Sequence, residues 1–196
     1  MCNDYGHKVT VDAYREAFGA LKLPLRFPRG APNLEPREDI RPTDPAPIIR
    51  AGEDGEAEFA TLRWGFPSPK PKGPPVINFR SEGRRFDRGR CLVPASHFFE
   101  FTGDKYPKTK WRFTVKDQDW FCMAGLWRTA ETRDGPLEAF TILTCAPGED
   151  LKPYHDRQVV VLERRHWAAW LDPTRPAEPD FKPAPAGTFA VEKVGR

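Results

Sequence analysis

The sequence predicts an α+β fold dominated by strands: a curved sheet or partly closed β-barrel with a few peripheral helices, in one domain spanning residues 1–196. Three observations lead there. Short apolar runs recur along the chain, the clearest alternating with a two-residue period, and read as strands. Only residues 10–21 and 163–171 carry the spacing of helices. The 22 prolines are clustered, so no long helix can run through the segments that hold them. No repeat of fixed period appears, and an aromatic content of 12% argues against a disordered chain.

Taken in order, Thr10 can cap a first helix in which Val11, Tyr14, Phe18 and Leu21 recur at helical spacing. Residues 24–47 hold seven prolines and are expected to run extended over the surface. Ile48–Arg50 and Glu58–Trp64 read as strands on either side of a turn at Gly52-Glu53-Asp54-Gly55. A second proline loop covers 67–75, followed by Val76–Arg80 and an arginine-rich stretch, 80–90, in which five of eleven residues are Arg. Cys91–Pro94 is a short buried run. Trp111, Phe113 and Val115 alternate with Arg112 and Thr114, while 119–127, 139–145 and 158–162 are further strands. A short helix is expected over 163–171, then a proline-rich tail from 172 with a last strand at 188–191.

The bulk properties exclude several classes. A net charge of +3 is far from that of a polycation, so any basic surface must come from local clustering. Cysteines at 2, 91, 122 and 145 have neither zinc-site spacing nor the density of a disulfide scaffold. Residues 1–20 lack an apolar stretch and no run approaches a membrane span. The expectation is a soluble protein of a reducing compartment, without metal, cofactor or membrane partner, and monomeric for want of a dimerisation seam.

Four positions carry candidate chemistry. Cys2 follows the initiator methionine, and its small side chain favours removal of Met1. The resulting α-amine and adjacent thiol would condense with an aldehyde to an imine and then a thiazolidine ring; an α-amine is partly unprotonated at neutral pH. The alternative is an incidental small buried residue. Asn78 and Arg80 share one face of a strand, as an amide beside a phosphate-binding fork or as an ordinary edge pair. Glu100 sits among aromatics in His97–Phe101, where burial would raise its pKa into the range of a proton shuttle; otherwise it is a surface acid. His155, in Tyr154-His155-Asp156-Arg157 before an apolar strand, is a candidate acid/base or a strand cap. Trp64-Gly65-Phe66, entering a Pro/Lys loop, offers a platform for unpaired bases or simple core packing.

In this order (Met1-Cys2, Arg41-Pro42-Thr43, Trp64-Gly65-Phe66, Asn78-x-Arg80-x-Glu82, Cys91–Phe101 with Glu100, His155-Asp156-Arg157) the motifs resemble the SRAP family, SOS response-associated peptidases that process abasic sites. The resemblance runs from residue 2 to about residue 171. It implies a sensor in the DNA damage response that binds single-stranded DNA containing abasic sites and forms a covalent thiazolidine crosslink through Cys2. It also implies Asn78 as holder of the N-terminus or sugar, Glu100 as proton shuttle and His155 as acid/base in opening the deoxyribose ring. Arg80 and Arg157 would grip phosphates, Trp64 and Phe66 would support splayed bases, and Pro42, Arg84 and Arg85 would complete the DNA surface. The implied location is cytoplasmic, nucleoid-associated when DNA is bound. The family usually begins Cys-Gly-Arg. Asp4 in place of that Arg predicts a lost phosphate contact and added repulsion, hence weaker DNA affinity. The abasic-site reading also admits a lyase activity, and two other readings remain: an N-terminal-nucleophile cysteine peptidase or amidase, for which no oxyanion hole is evident, and a non-enzymatic single-strand binder on the same fold.

Overall fold

The computed structural model describes residues 2–52, 55–175 and 181–195. Met1 and the turn residues Glu53 and Asp54 lie outside the described residues, as do 176–180 of the tail. The elements run β1 (Tyr5–His7), α1 (Val11–Ala20), β2 (Leu25–Arg26), β3 (Arg37–Ile40), β4 (Pro45–Ala51), β5 (Ala57–Trp64), β6 (Asn78–Arg80) and β7 (Arg90–Ala95). They continue with β8 (His97–Thr102), β9 (Thr109–Val115), β10 (Phe121–Thr132), β11 (Gly135–Cys145), β12 (Gln158–Val159) and β13 (Val161–Leu162). A 3-10 turn at Arg164–His166 leads into α2 (Trp167–Leu171), and β14 (Phe189–Gly195) ends the chain. Strands dominate, as expected.

The barrel closes fully rather than in part. Antiparallel pairing runs β11–β10–β7–β4–β5, and a parallel contact between β5 and β11, Trp64 opposite Phe140, completes the ring. Both faces are buried along β7, the first half of β10 and the second half of β11, which explains the near-continuous apolar runs there. In β7, Cys91, Val93 and Ala95 face the inner cluster while Leu92 faces outward; in β10, Phe121 and Met123 point in while Cys122 and Ala124 point out. The outer cluster is covered by α1 through Tyr14, Ala17 and Phe18 and by α2 through Trp167, Trp170 and Leu171. Cys91, Cys122 and Cys145 are thus buried free thiols.

A second sheet, ordered β14-β9-β8-β1-β3, is joined to the barrel where β7 passes through Ser96 into β8. The fold differs from the sequence expectation in several places. The segment 24–47 yields β2, β3 and the start of β4 instead of a bare surface loop. Pro45 and Pro47 are tolerated because that half of β4 pairs only with β5, while contact with β7 begins at Ile49. β1 is too short to show a period, yet it threads between β8 and β3. Its middle residue is Gly6 because a Cβ there would sit 2.0 Å from the His97 ring, which packs flat against the backbone to reach the Glu38 carbonyl at 3.0 Å. Finally, the helix expected over 163–171 is α-helical only from Trp167 to Leu171.

Candidate active site

β1 is the element that delivers Cys2. Phe99 N–H donates to the Asp4 carbonyl at 2.9 Å, and Tyr5 lies opposite Phe98, so the N-terminal segment is locked onto β8. Cys2 is buried, its thiol donating weakly to the Asp4 carbonyl at 3.5 Å. Burial, reinforced by the Glu100 carboxylate, pushes that thiol well above its ordinary pKa. Asn78 reaches across from β6, its amide donating to the Cys2 carbonyl at 2.7 Å; β6 is held parallel to β11, with Asn78 opposite Ile142. The Asn78 Oδ1 is buried with no hydrogen-bond partner among the described residues.

Glu100 follows Phe98 on the same face of β8, one alternation further toward the strand end. It is 2% exposed, and desolvation raises its pKa to about 7. Of the two readings left open for Glu100, a buried carboxyl and a surface acid, the structure shows the buried one. His155 arrives from the loop before β12. That loop is anchored by Tyr154, which packs edge-on against Trp111 at 4.8 Å and Phe113 at 5.3 Å. The His155 Nδ1 lies 2.9 Å from the Arg157 N–H and 2.8 Å from an Asp156 carboxylate oxygen, accepting from the first when the ring proton is on Nε2 and donating to the second when Nδ1 is protonated. Partial burial lowers its pKa below the usual histidine value. Glu100, His155, Asp4 and Pro42 line one cleft of about 650 Å³.

Other expected site residues lie elsewhere. Trp64 is fully buried, donates its indole N–H to the Ile77 carbonyl at 3.0 Å and meets Tyr5 edge-on at 5.0 Å. Phe66 is buried as well, with the Arg128 guanidinium 4.3 Å over its ring. Neither offers a face for a base, because closing the barrel at β5–β11 turns both into packing. Trp64→Phe is accordingly expected to cost about 1–2 kcal/mol of stability while leaving single-strand affinity at the wild-type level; a denaturant melt and a binding titration check the two halves separately.

Arg157 is not an open phosphate clamp. Its guanidinium is 11% exposed, paired with Glu82 at 2.5 and 2.8 Å and donating to the Thr144 carbonyl at 2.9 Å. It ties the Asn78-x-Arg80-x-Glu82 segment to the His155 loop and fixes the N–H that orients the imidazole. Arg80, Arg84 and Arg85 are exposed and lie outside the cleft lining, Arg84 stacking over Phe79 at 4.7 Å.

Lys110, which no pattern in the sequence singles out, is the main addition. Its ammonium bridges Asp4 at 2.7 Å and Asp39 at 2.6 Å and sits 3.6 Å over the Phe99 ring. Asp4 is 4% exposed; burial raises its pKa to about 6, against the lowering effect of Lys110. The carboxylate that was expected to repel DNA phosphates is thus paired with Lys110 at the cleft wall, sharing that cation with Asp39. Among the described residues, no group of three or more His, Cys, Asp or Glu is placed to hold a metal ion.

The sequence profile of the family described as SOS response associated peptidase (SRAP) matches residues 1–196. The chain belongs to the SRAP family. Two relatives of this SRAP chain in Bacillus subtilis are the abasic site processing protein YoaM, 32% identical over 92% of this chain and 83% of that protein, and the abasic site processing protein YoqW, 33% identical over 76% of this chain and 69% of that one. Among solved structures, a protein of Bordetella bronchiseptica superposes with a TM-score of 0.73 at 23% identity, covering 100% of both chains, which shows a shared fold.

Proposed function

We propose that this SRAP protein processes abasic sites in single-stranded DNA by forming a covalent thiazolidine adduct through Cys2. The observation that carries the proposal is the clasp of Asn78 on the Cys2 carbonyl beside a buried Glu100 whose pKa is about 7. The names of the Bacillus relatives supply the substrate class.

The order of steps follows from the local electrostatics. The buried thiol holds its proton at neutral pH, so the attacking group is the α-amine freed when Met1 is removed. His155 assists opening of the sugar, taking the hydroxyl proton at the anomeric carbon and returning one to the ring oxygen. The amine adds to the exposed aldehyde carbon, and the carbinolamine loses its hydroxyl as water with a proton from Glu100, giving an imine. The Cys2 sulfur then adds to the imine carbon, its proton passing through Glu100 to the nitrogen, and the five-membered ring closes. The balance is aldehyde plus aminothiol to thiazolidine plus water. Asn78 keeps Cys2 oriented throughout, which lowers the entropy lost on ring closure. Neither alternative gains a supporting observation: the raised thiol pKa is unfavourable for a peptidase nucleophile, and a binding-only role leaves the buried Glu100 and the Asn78 clasp on Cys2 without a use.

The test is an incubation with a single-stranded oligonucleotide carrying one abasic site, against the same strand carrying the tetrahydrofuran analogue, which has no aldehyde. A retarded band on a denaturing gel is expected with the first alone. Adducts on both strands, or on neither, would refute the proposal. Arg80, exposed beside the site, is read as a phosphate contact: Arg80→Ala should weaken binding across sequences and reduce the slope of log affinity against log salt by about 0.7. An unchanged slope removes that contact.

A further inference from the structure

Tyr106 is the exposed large hydrophobic side chain of the described residues, at 93%. It sits in the loop joining β8 to β9, and the base of that hairpin is rigid: Thr102 pairs with Thr109, and the Trp111 indole donates to the Thr102 hydroxyl at 2.8 Å. Tyr106, Pro107 and Lys108 line the same cleft as Glu100 and His155, on the rim where Arg41 also stands. An aromatic ring of this size forgoes a large burial when left in solvent, and here it is presented beside a candidate reactive centre on a rim that also carries Arg41 and Lys108.

Of the other aromatics around the cleft, Phe101 lines it but is half-buried in β8 with the Lys110 ammonium 5.9 Å from its ring centroid. Trp64 and Phe66 are buried, and the rings of Phe79 and Phe99 are covered by Arg84 and Lys110. We infer that Tyr106 is a stacking platform for one nucleobase flanking the abasic nucleotide, so that the preferred substrate is a strand unpaired on that side of the lesion. A base in a duplex is already stacked and cannot take the ring, whereas a single strand can turn one base onto it without regard to sequence. This inference rests on the proposed single-stranded abasic substrate, yet stacking on an unmodified strand does not require Cys2.

The experiment measures binding of the wild type and of Tyr106→Ala, Tyr106→Phe and Tyr106→Trp to an unmodified single strand by fluorescence anisotropy. Tyr106→Ala is expected to weaken affinity roughly five- to hundredfold, the range for one base–aromatic stack, with Phe and Trp retaining it. A second series uses abasic-site strands in which each flanking base in turn is replaced by the tetrahydrofuran spacer. Removing the base that meets Tyr106 should cancel the difference between wild type and Tyr106→Ala, and removing any other should not. Equal affinity of wild type and Tyr106→Ala for the unmodified strand overturns the inference, as does a deficit that persists whichever base is missing. If the wild type binds strands with the expected Tyr106 dependence but forms no adduct, the proposed crosslinking fails and the stacking role stands. Adduct formation without Tyr106 dependence leaves the crosslinking in place and removes the stacking role.

Discussion

Cys2→Ala is expected to eliminate the stable DNA adduct altogether while preserving the fold. Among the described residues the thiol makes one long hydrogen bond, and alanine removes one heavy atom from the cluster, so the loss of stability should stay near 1 kcal/mol. Alanine is also small enough for Met1 to be removed, so the α-amine survives. The variant should therefore still form the imine and stop there. Borohydride, which reduces an imine to a stable amine, would trap the variant on abasic DNA, while without borohydride no band should remain on a denaturing gel. This separates the two halves of the aminothiol: the amine makes the first bond and the sulfur makes it last. A full yield of untreated adduct from Cys2→Ala would assign the chemistry to another residue.

Glu100→Gln is expected to slow adduct formation by about 10² or more, the usual worth of a positioned acid/base group, and to remove the inflection near pH 7 from the rate profile. His155 titrates lower than an ordinary histidine, so the inflection near 7 should persist in His155→Ala and vanish in Glu100→Gln. The same substitution has a stability signature. Glu100 has a folded pKa of about 7, above its ordinary 4.5, so between those values the folded state holds a proton that the unfolded state has lost. Wild-type stability therefore falls as pH rises through that window, by up to on the order of 3 kcal/mol for this group. Glutamine removes the ionisation, so the variant should match the wild type near pH 4 and exceed it at pH 8. Denaturant melts at both pH values check this, and parallel pH dependence of the two proteins would mean that Glu100 is not desolvated.

Gain of stability with loss of rate is what a carboxyl buried for catalysis should show. Asn78 and Glu100 are each held by a strand that the sequence reveals only in part. The alternation of Trp111, Phe113 and Val115 is visible in the sequence, as are Thr10 and the apolar stripe of α1, because each element shows one face to solvent. β8 is harder to recognise as a strand because Phe98, Phe99 and Phe101 put apolar groups on both faces. The long β10–β11 hairpin turns at Arg133-Asp134 before Gly135, and that Asp-Gly pair is a turn signal the sequence does offer.

The chemistry-bearing residues are easier to find than their supports. Cys2, Asn78, Glu100 and His155 stand in distinctive local contexts, and the structure gathers the last two on one cleft with Cys2 and Asn78 hydrogen-bonded beside it. Trp64 and Phe66 mimic stacking surfaces in the sequence because an aromatic beside a basic loop looks the same whether its strand edge is open or closed. The pairing of Lys110 with Asp4, 106 positions apart in sequence, leaves no local pattern at all. Glu82 is different. Its spacing from Arg80 draws attention, but its ion pair with Arg157, and through that the orientation of His155, emerges only once β6 lies along β11.

The most direct test of the central claim is mass analysis of the N-terminal peptide isolated from the DNA adduct. The mechanism predicts a peptide beginning at Cys2, without Met1, carrying the deoxyribose remnant as the aldehyde condensed with loss of one water, and holding no free thiol at Cys2. A remnant on any other residue, or on a peptide that still begins with Met1, would contradict it.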